Sequence, residues 1–179
     1  MFARSLALFS LCFGMAGLAL AHGPTPQKVE EKIVIAATPE IIWGLLGDFG
    51  ALASWHPGVK SCRASGGNEA GKAEREVTLQ NDKVIREGMD EYDASRHYLG
   101  YRLAKENLEA LPVSFYSASM EVKAVSDKES EVIWSGRFYR GDTGNFPPEN
   151  LSDAAAVKAM TEFFQAGLQG LKQQAEAAP

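Results

Sequence analysis

The sequence predicts an α+β fold: a curved, seven-stranded antiparallel sheet around one long C-terminal helix, with two short helices after the first strand. Three observations carry this. Residues 59–140 alternate apolar and polar with period two, interrupted only by short Gly/Asn/Asp/Ser turns, so successive strands there are antiparallel neighbours. Apolar residues at three-to-four spacing occur in two places, just after the first strand and at the C-terminal end. A sheet with one apolar face has to bury it, and curling around a single long helix does so.

Each element has its own signal. Val29, Ile33 and Ile35 among charged residues make 29–36 the first strand. Thr38-Pro39-Glu40 then opens a helix, with Thr38 as cap, Pro39 at the first helical position and Glu40 facing the positive helix end. Ile41, Ile42, Leu45 and Leu46 form its buried stripe and Gly47 stops it. A second short helix is expected over 49–55, ended by Pro57 and Gly58. Strands follow at 59–64, 73–79, 84–93, 97–103, 113–125 and 131–140. A polar connector with Pro147-Pro148 leads to Ser152-Asp153, which caps a helix running to about Ala175 with the stripe Val157, Met160, Phe164, Leu168 and Leu171. Gly167 and Gly170 each cost that helix about 1 kcal/mol against Ala. Their use is a close approach to the sheet.

The chain divides into a secretory signal at 1–21, a flexible leader at 22–28 and a single domain at 29–179. Arg4, the apolar run Leu6 to Leu20 and the small-x-small site Ala19-Leu20-Ala21 make the signal. The run is shorter than the roughly 20 residues that span a bilayer, so no membrane span is expected after cleavage. Cleavage removes Arg4 and moves the formal charge from −5 to −6, which argues against a nucleic-acid partner and is compatible with a basic protein partner. It also leaves Cys62 as the only cysteine, hence no intrachain disulfide; a thiol on a strand with polar neighbours reads as buried and inert.

No catalytic constellation, metal site or cofactor motif emerges. Gly44, Gly47 and Gly50 follow a helix and are spaced wrongly for a dinucleotide fingerprint. His22, at the new N-terminus, would need a second imidazole, His56 or His97, to hold a metal; a plain leader is the simpler reading. His56 is either an acid/base at a cavity mouth or a structural ring bonded to a carbonyl, and the second asks for no substrate. Asp48 reads as a bonder of turn amides.

Space left between the sheet and the long helix is a candidate cavity for a small hydrophobic ligand. Trp55, His56, Tyr98, Tyr101, Tyr116, Met120, Trp134, Phe138 and Phe164 are placed to line it. Core packing is the alternative, and it suits Trp134 and Phe138 best.

The helix start at Thr38-Pro39-Glu40-Ile41-Ile42-Trp43, the run Leu46-Gly47-Asp48-Phe49-Gly50-Ala51-Leu52-Ala53-Ser54-Trp55-His56-Pro57, Leu111-Pro112-Val113 with Tyr116, and Val132-Ile133-Trp134 with Gly136 and Phe138 resemble the START-like or Bet v 1-like (SRPBCC) superfamily in its polyketide cyclase/dehydrase branch. The resemblance implies the helix-grip fold over essentially the whole mature chain. With the export signal, it is similar more narrowly to MxaD-like proteins of bacterial methanol oxidation clusters. That implies a periplasmic, non-catalytic helper of electron transfer between a quinoprotein methanol or alcohol dehydrogenase and its cytochrome c. Glu30, Glu31, Glu87, Asp90, Glu91 and Asp93 are the acids most available for such a partner. The competing expectation is a periplasmic carrier, or a cyclase/dehydrase-like enzyme, acting on a small hydrophobic molecule in the cavity.

Overall fold

A computed structural model describes residues 23–177; the signal segment and His22 lie outside the described residues. The elements run β1 (Gln27–Ile35), α1 (Pro39–Leu46), α2 (Leu52–Trp55), β2 (Val59–Ser65), β3 (Glu74–Leu79), β4 (Val84–Asp93), β5 (Tyr98–Lys105), β6 (Val113–Ser126), β7 (Glu129–Arg140) and α3 (Asp153–Glu176). A 3-10 turn, Glu149–Leu151, precedes α3. All strands belong to one seven-stranded sheet in the order β1-β7-β6-β5-β4-β3-β2, antiparallel throughout. Short turns keep β2 to β7 as successive neighbours, while α1 and α2 carry the chain from one edge of the sheet to the other. The curved sheet closed on its C-terminal helix is the helix-grip fold that the sequence predicts.

Local chemistry accounts for the boundaries. Pro39 opens α1 as expected, but the Thr38 side chain caps no helix N–H; its carbonyl accepts from Ile42 N at 3.2 Å. The Glu40 carboxyl is instead held below its usual range, first by its own backbone N–H and then by the Thr38 hydroxyl. The second helix is shorter than 49–55 because Asp48 commits its successors to a turn: its Oδ1 accepts from Gly50 N at 2.9 Å and its carbonyl from Ala51 N at 3.0 Å. His97, expected to begin a strand, sits at φ +49° and ends the preceding turn. Ser152 does cap α3, its hydroxyl accepting from Ala155 N at 3.3 Å.

One face of α3 packs across β1 and β7 through Ala156, Met160, Phe164, Leu168, Leu171 and Ala175; Ala156 replaces the expected Val157, which is half-buried. Both glycines of this helix mark close approaches. A Cβ at Gly167 would lie 2.5 Å from the Trp134 ring and 2.6 Å from the His56 ring, and one at Gly170 would lie 2.0 Å from the Trp55 carbonyl oxygen. The backbone of α3 therefore rests directly on the exit of α2 and on β7.

Candidate functional site

The interior of the grip is built around Trp134, on the concave face of β7 and fully buried. Its ring stacks on Phe164 of α3, with centroids 4.4 Å apart and planes at 12°. Trp55, His56 and Phe163 meet it edge-on at 5.9, 6.0 and 5.8 Å. Gly136, two residues along the strand, makes room: a Cβ there would lie 2.9 Å from Phe164 Cζ. Met120 is the register partner of Trp134 on β6, and both it and Phe138 are buried.

His56 is 2% exposed and spends both ring nitrogens on backbone. Gly58 N donates to Nδ1 at 2.9 Å, so Nε2 carries the proton and donates to the Phe163 carbonyl at 3.0 Å. The ring ties the α2 exit to α3. Burial, the largest influence, pushes its pKa down to about 4 against the pull of these backbone bonds. The imidazole is therefore neutral and structural at physiological pH.

A polar network runs from Trp134 into the other half of the sheet. The indole N–H donates to the Tyr101 hydroxyl at 2.9 Å. Tyr116 packs edge-on against Tyr101, with centroids 6.4 Å apart, and its hydroxyl donates to Glu87. The other Glu87 oxygen accepts from Arg75 Nε at 2.5 Å, and Arg75 Nη1 donates to the Phe49 carbonyl at 3.1 Å. The guanidinium lies 4.1 Å from the Phe49 centroid and 4.8 Å from that of Tyr101. Arg75 and Glu87 are 6% and 2% exposed, a buried ion pair inside an aromatic box. Burial opposes the Arg75 charge, but the adjoining carboxylate binds it more tightly than usual. Burial first, then the Glu87 charge, pushes the Tyr101 and Tyr116 phenols far above their ordinary range.

A sequence profile described as polyketide cyclase / dehydrase and lipid transport matches residues 26–176. The chain belongs to this family. No curated protein matches it. Among solved structures it is similar to the protein XoxI from Bacillus cereus, at 25% identity, 82% of this chain, 94% of that chain and a TM-score of 0.69. It is similar in fold to the Zhui aromatase/cyclase from a Streptomyces species (16% identity, 85% and 94% of the chains, TM-score 0.64). The same holds for norcoclaurine synthase from Thalictrum flavum in complex with dopamine and hydroxybenzaldehyde (14% identity, 99% and 99%, TM-score 0.65).

In this polyketide cyclase/dehydrase-family chain the grip brings together Trp55, His56, Tyr101, Tyr116, Met120, Trp134, Phe138 and Phe164. Tyr98 is elsewhere. It stands on the convex face of the sheet beside Ser117, Ser119 and Ser135, with the Arg96 guanidinium 5.4 Å from its ring. A one-residue offset from Leu99, which pairs with Met120 on the concave side, puts it there.

Glu87, expected among the acids on the surface, is instead the buried partner of Arg75. Period-two alternation held the signal: Arg75, Val77 and Leu79 share one face of β3, Ile85, Glu87 and Met89 share one face of β4, and Arg75 and Glu87 are register partners.

The other acids on that list are also engaged. Glu30 pairs with Lys28 and Lys32, whose contacts lower its pKa to about 2. Asp90 pairs with Arg102, Glu91 and Asp93 share Arg96, and Glu31 accepts from Gln165 Nε2 at 3.1 Å. Cys62 is half-buried, and burial raises its pKa, which keeps the thiol protonated at neutral pH. Among the described residues no group of three or more His, Cys, Asp or Glu is placed to hold a metal, and no helix is long and apolar enough to cross a membrane.

Proposed function

We propose that this chain is an exported, non-catalytic accessory protein that acts by contact in the periplasm. Its task would be that of the MxaD-like proteins it resembles, assisting electron transfer from a quinoprotein methanol or alcohol dehydrogenase to its cytochrome c. One observation supports contact over chemistry. The groups in the grip that could act on a substrate (His56, Arg75, Glu87, Tyr101 and Tyr116) are bonded to one another, to the Trp134 indole or to backbone, between packed aromatic rings. General acid/base work needs a side chain free to reach a substrate proton. The signal at 1–21 supports export. Reconstitution tests the proposal: mature protein is added to purified methanol dehydrogenase and its cytochrome c at low and moderate salt. The expected result is a faster electron-transfer rate, with a larger effect at low salt. An unchanged rate at every salt concentration refutes it.

A second reading, a carrier or cyclase/dehydrase-like enzyme for a small hydrophobic molecule, is favoured by one atom. Trp55 Nε1 is a buried donor with no acceptor, and an oxygen of a bound molecule would satisfy it. Native mass spectrometry of the protein as isolated tests this: a stoichiometric organic adduct supports the carrier, and the bare mass of the chain contradicts it.

A further inference from the structure

The turn between β2 and β3, residues 66–72, has the build of a hinged flap. Glycines at positive φ stand at both of its ends: Gly66 at +76° and Gly67 at +62° on the way out, Gly71 at +77° on the way back. Its neck is tight, since a Cβ at Gly66 would lie 2.6 Å from the Lys72 carbonyl oxygen. The turn also closes on itself. The Glu69 carbonyl accepts from Lys72 N at 3.0 Å and from Ala73 N at 2.8 Å, and the Glu69 carboxylate pairs with Lys72. No apolar side chain holds it down, because residues 66–72 are all exposed except Asn68, which is half-buried.

Asn68 is the tie. Its Oδ1 accepts from Phe49 N at 3.0 Å, and its Nδ2 donates to the Tyr92 hydroxyl at 3.4 Å. At the neck, Gly71 N donates to the Met89 carbonyl at 2.8 Å. Among the described residues no other hydrogen bond or ion pair joins positions 66–70 to the body of the protein. Phe49, fully buried, passes the contact inward. Its carbonyl accepts from Arg75 Nη1 at 3.1 Å, and its ring lies 4.1 Å from that guanidinium. A single residue thus stands between a surface turn and the buried Arg75–Glu87 pair, with its N–H held by one and its C=O by the other.

We infer that the 66–72 turn is a hinged cover over the Phe49 corner of the grip, secured by Asn68. Its opening frees Phe49 and lets water or a small molecule reach Arg75 and Glu87 while the sheet stays folded. A segment that buries no apolar side chain and hangs on the bonds of one residue opens locally at little cost. The ion pair beneath it regains hydration on opening, which offsets part of that cost. The inference goes beyond both readings above, since it concerns how a closed interior is reached, whichever of them holds.

Native-state hydrogen exchange, followed by heteronuclear NMR of the mature protein across low urea concentrations, tests it. The protons compared are the Phe49 N–H, the Arg75 Nε–H and the backbone N–H of Trp134 in the middle of β7. Phe49 and Arg75 should share one opening constant that urea barely changes, whereas Trp134 should exchange only through global unfolding and accelerate with urea. Asn68→Ala should raise the Phe49 and Arg75 rates about tenfold relative to Trp134, the worth of one or two side-chain hydrogen bonds. Asn68→Asp, which keeps the acceptor for Phe49 N, should stay within about threefold of wild type. One steep urea dependence for all three protons would overturn the inference. So would local exchange at Phe49 with Arg75 exchanging only on unfolding, or rates indifferent to Asn68→Ala.

Discussion

Replacing Gly170 with alanine sets two effects of opposite sign against each other. Helix propensity favours Ala over Gly by about 1 kcal/mol in a helix interior. The new methyl, however, would stand 2.0 Å from the Trp55 carbonyl oxygen and 2.8 Å from Pro57 Cδ, and a backbone oxygen has no rotamer by which to withdraw. α3 would have to retreat by about 1 Å or more, since relaxed C···O contacts begin near 3.3 Å. Retreat loosens the Trp134–Phe164 stack at 4.4 Å and the His56–Phe163 contact at 4.1 Å, and a gap of that order forfeits a quarter to a half of the dispersion energy across it. Overpacking of this kind costs about 3 kcal/mol, the upper part of its usual range. The net is about 2 kcal/mol of destabilisation, or about 4–8 °C in melting temperature for a chain of this size. Gly44→Ala is the matched control: Gly44 is exposed on α1 with nothing within 4 Å of its Cβ position, so the same change should raise the melting temperature by about 2–4 °C. Thermal unfolding of the mature protein, followed by circular dichroism, reads both. A Gly170→Ala protein melting at or above wild type would refute the close approach of α3.

Two further outcomes follow from the interior and one from the surface. His56 has its folded pKa near 4, below the unfolded value of 6.5, so the unfolded chain takes up its proton first as pH falls. Stability is complete above pH ~6.5 and declines by about 3 kcal/mol towards pH 4; urea unfolding should show this slope flattened in His56→Gln, and an unaltered slope would contradict it. Glu87→Gln strands the buried Arg75 charge and should cost about 3–5 kcal/mol, whereas the double variant Arg75→Met/Glu87→Leu should recover most of that loss; a single variant within 1 kcal/mol of wild type counts against a buried pair. Phe146→Ser, on a fully solvated ring, should leave stability within about 0.5 kcal/mol, and a larger fall would mean the ring is packed.

Most of the fold could be read from alternation and turn chemistry, because those local signals agree with the tertiary arrangement. Val132, Trp134, Gly136 and Phe138 alternate onto one face of β7, and Ser152-Asp153 starts α3 where a cap belongs. The function of Gly167 and Gly170 was also legible, since two costly residues in a helix need a reason. What stayed hidden was pairwise. Charge on Glu87 suggests water; alternation with Ile85 and Met89 turns it inward, and the register that sets it opposite Arg75 supplies the partner that a single strand's pattern does not show. The one-residue difference between Tyr98 and Leu99 decides which side of the sheet a ring occupies, and a single sequence does not fix that phase at a strand's first residue. The strained outward turn of Phe115 depends on a bulge that no local residue type announces.

The central claim is that the grip is closed upon its own side chains, so that the molecule works from its surface. Titrating the mature protein with anilinonaphthalene sulfonate, which fluoresces on entering an apolar cavity, tests this most directly; Phe164→Ala is the opened form, probed with benzene, which fits the space left by one ring. Wild type should give no saturable dye fluorescence and no response to benzene, and Phe164→Ala should gain melting temperature as benzene is added. Saturable one-to-one binding by folded wild type would contradict the account.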